Sequence, residues 1–544
     1  MAVSATAELA EPEVNPGVKL THRQIMVVLS GLLLGMFLAA LDQTIVSTSM
    51  RTIADQLHGQ TMQAWATTAY LITGTITTPL YGKLSDIYGR KPLFLTAIAI
   101  FLVGSGLSAL STDMYQLAAF RAVQGLGAGG LMALALAIIG DMVSPRERAR
   151  YQGFFVAVFG ISSVAGPVLG GLFAGLDSFA GVAGWRWVFL INLPLGLIAL
   201  VVVTRVLNLP HKRVDHKVDY WGAVLLTVGL VPLLIVAEQG REWGWGSTRS
   251  IALIVAAVFG ILLFILVELR QGDEALLPMR LFKSPVFSLA NTLNFIIGMG
   301  MFGGLAGLPL YLQIVHGFSP TKAGLALLPL MLGIMTATAI SGQIISRTGR
   351  YKIFPVIGSG LMALALFLLS TVGVDTEVWQ VMIMMLIMGA GLGQCMQTLV
   401  LAVQNDAAPS DMGVATASAT FFRQMGGTMG TAVFLSILFG VIGDRISDAI
   451  TVAKTDPAFL RAMADPENQK LLQNHDLNDT TFLNGLDPVV ARPFLEGFAS
   501  SIDTMFFVGG CVTIVAFLLV WFLREKPLTN QSGMERAAAL ALAE

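Results

Sequence analysis

The sequence predicts an all-α integral membrane protein with fourteen membrane-spanning helices, built as two six-helix bundles with two further helices inserted between them. Three observations predict it. Of 544 residues, 55% are hydrophobic and 12% charged, about half the charge that clothes a soluble protein. Fourteen apolar runs, most of them near the length of about 20 residues that crosses a bilayer, follow one another along the chain. The two ends of the chain also repeat each other's glycines, prolines and arginines in order.

The runs fall at 25–46, 64–81, 93–110, 117–140, 153–175, 187–207, 220–237, 250–268, 286–312, 324–345, 353–372, 379–401, 414–441 and 501–523. An even number of spans leaves both termini on one side. Basic residues gather in the tails and even-numbered loops, as in Lys83, Arg90 and Lys91, or Arg146, Arg148 and Arg150, or Arg347, Arg350 and Lys352. The short odd-numbered loops hold Arg51, Arg186, Arg241, Arg249 and Lys322. The positive-inside rule therefore places both tails, 1–24 and 524–544, in the cytoplasm of a cell-membrane protein. Trp185, Trp187, Trp243 and Trp245 fall at span ends, where an aromatic belt forms. The one long odd loop, 442–500, is read as extracytoplasmic and partly helical around Pro457–Ala464; its Asn478-Asp479-Thr480 is a formal glycosylation acceptor, read as a chance match.

The 33 basic and 34 acidic residues leave a net charge of -1, which offers no footprint for nucleic acid. Cys395 and Cys511 lie in apolar runs without C-x-x-C spacing, so they read as buried thiols, with no disulfide framework and no metal site. The first 20 residues lack the basic-then-apolar order of a signal peptide.

A shift of 260 lays Gly82, Gly89 and Arg90 onto Gly342, Gly349 and Arg350. A shift of 264 lays Gly125, Gly127, Gly129 and Pro145 onto Gly389, Gly391, Gly393 and Pro409. The bundles are thus 25–207 and 286–523, with an inserted pair at 219–269. Parallel repeats of this kind are a transporter architecture, with the substrate site between halves near the midplane.

The loop after span two, Gly82-Lys83-Leu84-Ser85-Asp86-Ile87-Tyr88-Gly89-Arg90-Lys91, resembles the major facilitator pattern G-x-L-a-D-r-x-G-r-k, with Ile87 at the usual arginine. Arg121-Ala122-Val123-Gln124-Gly125 is similar to R-x-x-Q-G, and Gly160, Gly166-Pro167 and Gly170-Gly171 to the antiporter motif G-x(5)-G-P-x-x-G-G. Leu41–Val46 and Trp185–Pro194 resemble the fourteen-span drug:proton antiporter family of the major facilitator superfamily. The chain departs from that family at Ser47-Thr48-Ser49-Met50-Arg51.

The resemblance implies the major facilitator fold, alternating access, and a cytoplasmic latch of Gly82, Asp86, Gly89, Arg90, Lys91 and Asp141, with Asp86 facing a helix N-terminus of the opposite half and Arg90 pairing with Asp141. Ser346 stands near the matching place in the second half, which predicts a weakened or absent latch there. Gly160, Gly166, Pro167 and Gly170 would pack or bend span five. Asp42 and Arg121, opposite charges at similar predicted depth, about 8 and 9 Å below the outer span ends, are candidates for proton coupling, since unpaired charge at mid-bilayer costs about 2.5 to 3.5 kcal/mol. Gln43, Gln124, Asn291, Asn294 and Arg423 are candidate cavity residues. The expected function is proton-coupled export of amphipathic organic compounds; export of an endogenous lipid or metabolite is an alternative, and a non-transporting receptor or membrane enzyme is a third reading of another class. No phosphate loop and no H-E-x-x-H occur, so no ATP motor, cofactor or metal is expected. The expected partners are a small-molecule substrate, protons and the bilayer, with the protein as a monomer.

Overall fold

The computed structural model describes residues 21–58, 63–207, 218–272, 274–466, 468–469, 483, 485–529, 531–532 and 535. Most of the predicted tails and Asn478-Asp479-Thr480 lie outside the described residues. The helices are α1 His22–Gln56, α2 Gln63–Tyr88, α3 Arg90–Ala109, α4 Met114–Met142, α5 Pro145–Ala174, α6 Trp187–Leu190, α7 Asn192–Val206, α8 Tyr220–Trp243, α9 Thr248–Gln271, α10 Pro285–Leu310, α11 Pro320–Ala326, α12 Leu328–Thr348, α13 Ile353–Leu369, α14 Val378–Asp406, α15 Met412–Ala453, α16 Pro457–Met463 and α17 Pro488–Val520. A two-residue antiparallel pair, β1 Ser178–Phe179 with β2 Val182–Ala183, interrupts the helical order between α5 and α6. Local chemistry sets the starts: Thr21 forms a capping box with Gln24, while Asp113, Ser144, Asp219 and Ser247 accept from the first-turn amides of α4, α5, α8 and α9.

Among the described residues, twelve helices are long and apolar enough to cross a membrane, with α6–α7 and α11–α12 each counted within one stretch. The two other predicted spans are present as helices that fall short of that measure. α2 carries Thr73, Thr75, Thr77, Thr78, Lys83 and Asp86, and α13 has 17 residues, about 26 Å of helix against a hydrocarbon core of about 30 Å.

Several helices outrun the predicted spans. α1 continues to Gln56; within it the hydroxyls of Ser47, Thr48 and Ser49 turn back to carbonyls of their own helix, and Ser49 also donates to Gly170 O at 3.1 Å. Asp42 therefore lies 14 residues, about 21 Å, before the end of its helix, farther from it than from the end of the expected span. The expected loop 442–500 shrinks likewise: α15 extends to Ala453, α17 begins at Pro488, and α16 occupies part of the segment between them. Cys395 is buried as expected, but Cys511 is exposed on α17 beside Phe507, Ile514, Val515 and Leu518.

Helix pairing repeats along the chain. α2 and α3 flank α4, as α12 and α13 flank α14, and α1 packs on α5 as α10 packs on α15. The offset-matched glycines make these seams: Gly127 meets the backbone of Ala97 and Phe101 on α3, and Gly391 meets Gly358 and Met362 on α13. The repeats touch where α2 crosses α15 and α5 crosses α12. α8 and α9 pack on each other, with α8 reaching α2 and α15, while α9 exposes Ile251, Val255, Val258, Phe259, Leu262 and Leu266.

A side chain at Gly127 would place Cβ 2.5 Å from Ala97 O and Phe101 N, whereas Gly153 of α5 faces open space. Gly127→Ala is expected to lower stability by about 1–3 kcal/mol, and Gly153→Ala to raise it by up to about 1 kcal/mol. Melting temperatures of the purified protein in detergent check this; equal shifts for the two variants would refute it.

Candidate functional site

α1, α4 and α7 bring four polar side chains together at one buried point. Arg121 Nη1 lies 2.5 Å from Asp42 Oδ2. Gln124 Nε2 and Asn192 Nδ2 donate to Asp42 Oδ1 at 2.8 and 2.7 Å. Gln124 also accepts from Arg121 Nη1 at 2.7 Å, and Asn192 donates to Ser105 Oγ at 3.0 Å. The Arg121 guanidinium stacks 4.0 Å above the Tyr70 ring of α2. Asp42, Gln124 and Asn192 have no solvent exposure and Arg121 has 1%. Arg121 and Gln124 share a face because they stand three apart on α4. One guanidinium and two amide donors thus meet the two oxygens of the Asp42 carboxyl.

Sequence reasoning did not foresee Asn192, Ser105 or Tyr70 around Asp42. Asn192 was visible as an amide in an apolar run, but its direction toward α1 follows from where α7 packs. Gln124, expected to line a cavity, belongs to the Asp42 cluster. Gln43 is half-buried on α1. Asn291 and Asn294 of α10 are buried and bond back to Phe287 O and Ala290 O, both at 3.0 Å, apart from that cluster. Arg423 stands 11 residues into α15, about 16 Å from its start. It is half-buried, and its Nη1 is shielded without a hydrogen-bond partner among the described residues.

A second constellation closes one end of the molecule. There α1 begins beside α5, through a 2.7 Å bond between His22 Nδ1 and Tyr151 Oη, and the segment after α17 meets the start of α13, where Tyr351 N donates to Glu525 Oε1 at 2.6 Å. At this terminal end Asp86 of α2 accepts from Gly413 N and Val414 N at 3.1 and 3.0 Å, capping α15. Arg90 lies 2.6 Å from Asp86 and 2.7 Å from Asp141 of α4. Gly82 lets α2 touch α15, since its Cβ would fall 2.5 Å from Ala417 Cβ and 2.8 Å from Gly413 O. Gly89 holds φ at +95° just before α3, a conformation that favours glycine. Lys91 is half-buried in the first turn of α3.

The other repeat junction closes by different chemistry. Arg146 at the start of α5 donates to Ser346 O and Arg347 O at 2.7 and 2.5 Å, neutralising the carbonyl end of α12. Arg148, fully buried, reaches Gly140 O, Val143 O and Gln404 of α14, and Gln404 returns a bond to Leu136 O. The junction at Ser346 is thus closed without a carboxylate, where the sequence suggested weakness.

Along α5, Thr44 Oγ1 of α1 lies within contact range of the Cβ position of Gly166 and donates to Ser162 O at 3.0 Å, and Gly170 touches Ile45 O. Pro167 is accommodated inside a helix that runs unbroken from Pro145 to Ala174. Gly160 lines an apolar groove of about 480 Å³ between α5 and α12, with Ile161, Val164, Val168, Met331 and Met335.

The sequence profile of the Major Facilitator Superfamily matches residues 32–431. The chain is 36% identical over 505 residues to an uncharacterized MFS-type transporter of Mycobacterium tuberculosis, covering 93% of this chain and 70% of that one. It is 34% identical over 517 residues to Multidrug resistance protein 3 of Bacillus subtilis, covering 94% and 97%. The crystal structure of the human organic anion transporter MFSD10 superposes with a TM-score of 0.59 at 15% identity, covering 91% of this chain and 99% of that one; this shows the fold alone. The chain belongs to the Major Facilitator Superfamily. It is a multi-pass membrane transporter with the major facilitator fold.

Asp86→Ala removes the cap from α15, a loss of about 1 kcal/mol. In a Cys511→Ser background, labelling of a cysteine placed at Ala417, which is buried at the α2–α15 crossing, is expected to rise about fivefold with an aqueous thiol reagent. Unaltered labelling would show that the cap does not hold this end shut.

Proposed function

We propose that the protein is a proton-coupled exporter of amphipathic organic compounds, working by alternating access as a monomer in the cell membrane. The observation that carries this reading is the fully buried Asp42 with Arg121, Gln124 and Asn192 around it, the kind of intramembrane charge that marks an ion pathway. In the conformation described, Arg121 satisfies the carboxylate. A conformation that parts α4 from α1 removes that partner and leaves Asp42 to take a proton, so proton binding follows which side is open.

In this reading all fourteen predicted spans cross the bilayer, the terminal end faces the cytoplasm, residues 25–207 and 286–523 form the two moving bundles, and the α2–α15 and α5–α12 crossings form the cytoplasmic gate. Gly82, Asp86, Gly89, Arg90, Lys91 and Asp141 latch it, with Arg146 closing the opposite junction. The latch favours the outward-open state, because its bonds exist only while that end is closed. The name of the Bacillus subtilis relative supports efflux. The apolar wall along α5 and α12 supports a substrate with a large hydrocarbon part, and Gln43, Asn291, Asn294 and Arg423 supply polar points for its other end.

Purified protein in vesicles tests the proposal. An imposed proton gradient is expected to drive uptake of amphipathic dyes into inside-out vesicles, and dye addition is expected to move protons. Asp42→Asn is expected to abolish both fluxes while the protein remains folded and inserted. Unchanged coupling in that variant would remove Asp42 from the mechanism, and absence of both fluxes in the wild type would sink the antiport reading.

A further inference from the structure

Between α9 and α10 the chain passes as a strap, residues 274–284, whose Ala275, Leu276 and Leu277 are buried. It closes over two carboxyls of the inserted helices. Asp219 caps α8: its Oδ1 accepts from Gly222 N at 2.6 Å and Gln271 Nε2 at 2.7 Å, and its Oδ2 from Leu276 N at 3.4 Å. Glu268, in the last turn of α9, has no solvent exposure. Its Oε2 accepts from Leu277 N at 2.7 Å, whereas its Oε1 has no donor among the described residues. Asp219 Oδ2 and Glu268 Oε1 both lie within contact range of the point a Gly222 Cβ would occupy. They therefore face each other across the space that this glycine leaves open.

Two acceptor oxygens facing at such range, away from water, are not both stable as carboxylates. Among the described residues, the ion pairs recorded do not give each carboxyl a cation of its own. Lys83 of α2 feels Asp86, Asp411 and, less strongly, Glu268. Arg280 of the strap is bound to Asp411 at 2.9 Å. Arg270 and Glu274 are exposed.

We propose that Asp219 and Glu268 share one proton, making the inserted helices the seat of a second proton-binding site, distinct from Asp42. The strap ties this site to the terminal end. Leu276 and Leu277 donate to the two carboxyls, and three residues after Leu277 the strap's Arg280 holds Asp411, which directly precedes α15. Loss of the proton puts two like charges together beneath the strap and pushes on the helix start that Asp86 caps. The site stands or falls independently of whether Asp42 carries a transported proton.

Infrared difference spectra of the full chain in lipid vesicles, recorded against pH, test the proposal. A protonated-carboxyl C=O band is expected to persist at neutral pH, where ordinary carboxyls, with pKa values near about 4, are ionised. Glu268→Gln is expected to remove this band. Asp219→Asn is expected to move its titration to lower pH, since a neutral neighbour no longer repels the second charge, and Asp42→Asn to leave it in place. Melting temperature supplies a second readout. The folded state holds a proton that the unfolded chain releases, so wild-type stability should fall as pH rises through the ionisation, with Glu268→Gln flat over the same interval. A band unmoved by both Glu268→Gln and Asp219→Asn overturns the proposal. So does a band lost in Glu268→Gln yet titrating unmoved in Asp219→Asn, because Glu268 would then be a lone buried acid.

Discussion

Hydrocarbon offers a charge no solvent, so a charged side chain inside the bundle persists where protein groups surround it, and the helices near Asp42 are placed by that requirement. Arg121, Gln124 and Asn192 converge on one carboxylate from two other helices. Tyr70 lays its ring on the guanidinium from a third. Each of these groups would be expensive alone in the membrane, and together they fix how α1, α4 and α7 approach one another. The same rule runs through the terminal end, where buried Arg90 and Arg148 and half-buried Asp86 meet carboxylates, carbonyls and amides. Arg423 differs in having no ion pair recorded among the described residues, and its Nη1 is shielded without a hydrogen-bond partner there.

The duplication explains the frame but not the way it closes. Gly127 and Gly391 admit the backbones of equivalent neighbours, so helix pairing in one repeat copies the other. At the two crossings between repeats the chemistry diverges. One end of α15 is met by the Asp86 carboxylate at its exposed N–H groups, and the end of α12 is met by the Arg146 guanidinium at its exposed carbonyls. Both suit the helix dipole. The two contacts lie at a single end of the molecule and carry opposite charge.

Composition and apolar periodicity in the sequence by themselves determined the all-α membrane class, the order and approximate place of every long helix, and the paired repeats, because these follow from local hydropathy and from glycines that admit a neighbouring backbone. Resemblance to the major facilitator motifs pointed to Asp86, Arg90 and Asp141, and opposite charge at similar predicted depth pointed to Asp42 and Arg121. Helix ends were less legible: Ser47, Thr48 and Ser49 look like loop residues until their hydroxyls bond to the helix itself. Tertiary structure alone decided which groups share a point in space. Asn192 reaches Asp42 from 150 residues away, Arg146 meets Ser346 across the repeat junction, and Asp219 confronts Glu268 over a glycine. No periodicity encodes such meetings, since each depends on how two helices cross and rotate when their whole surfaces pack.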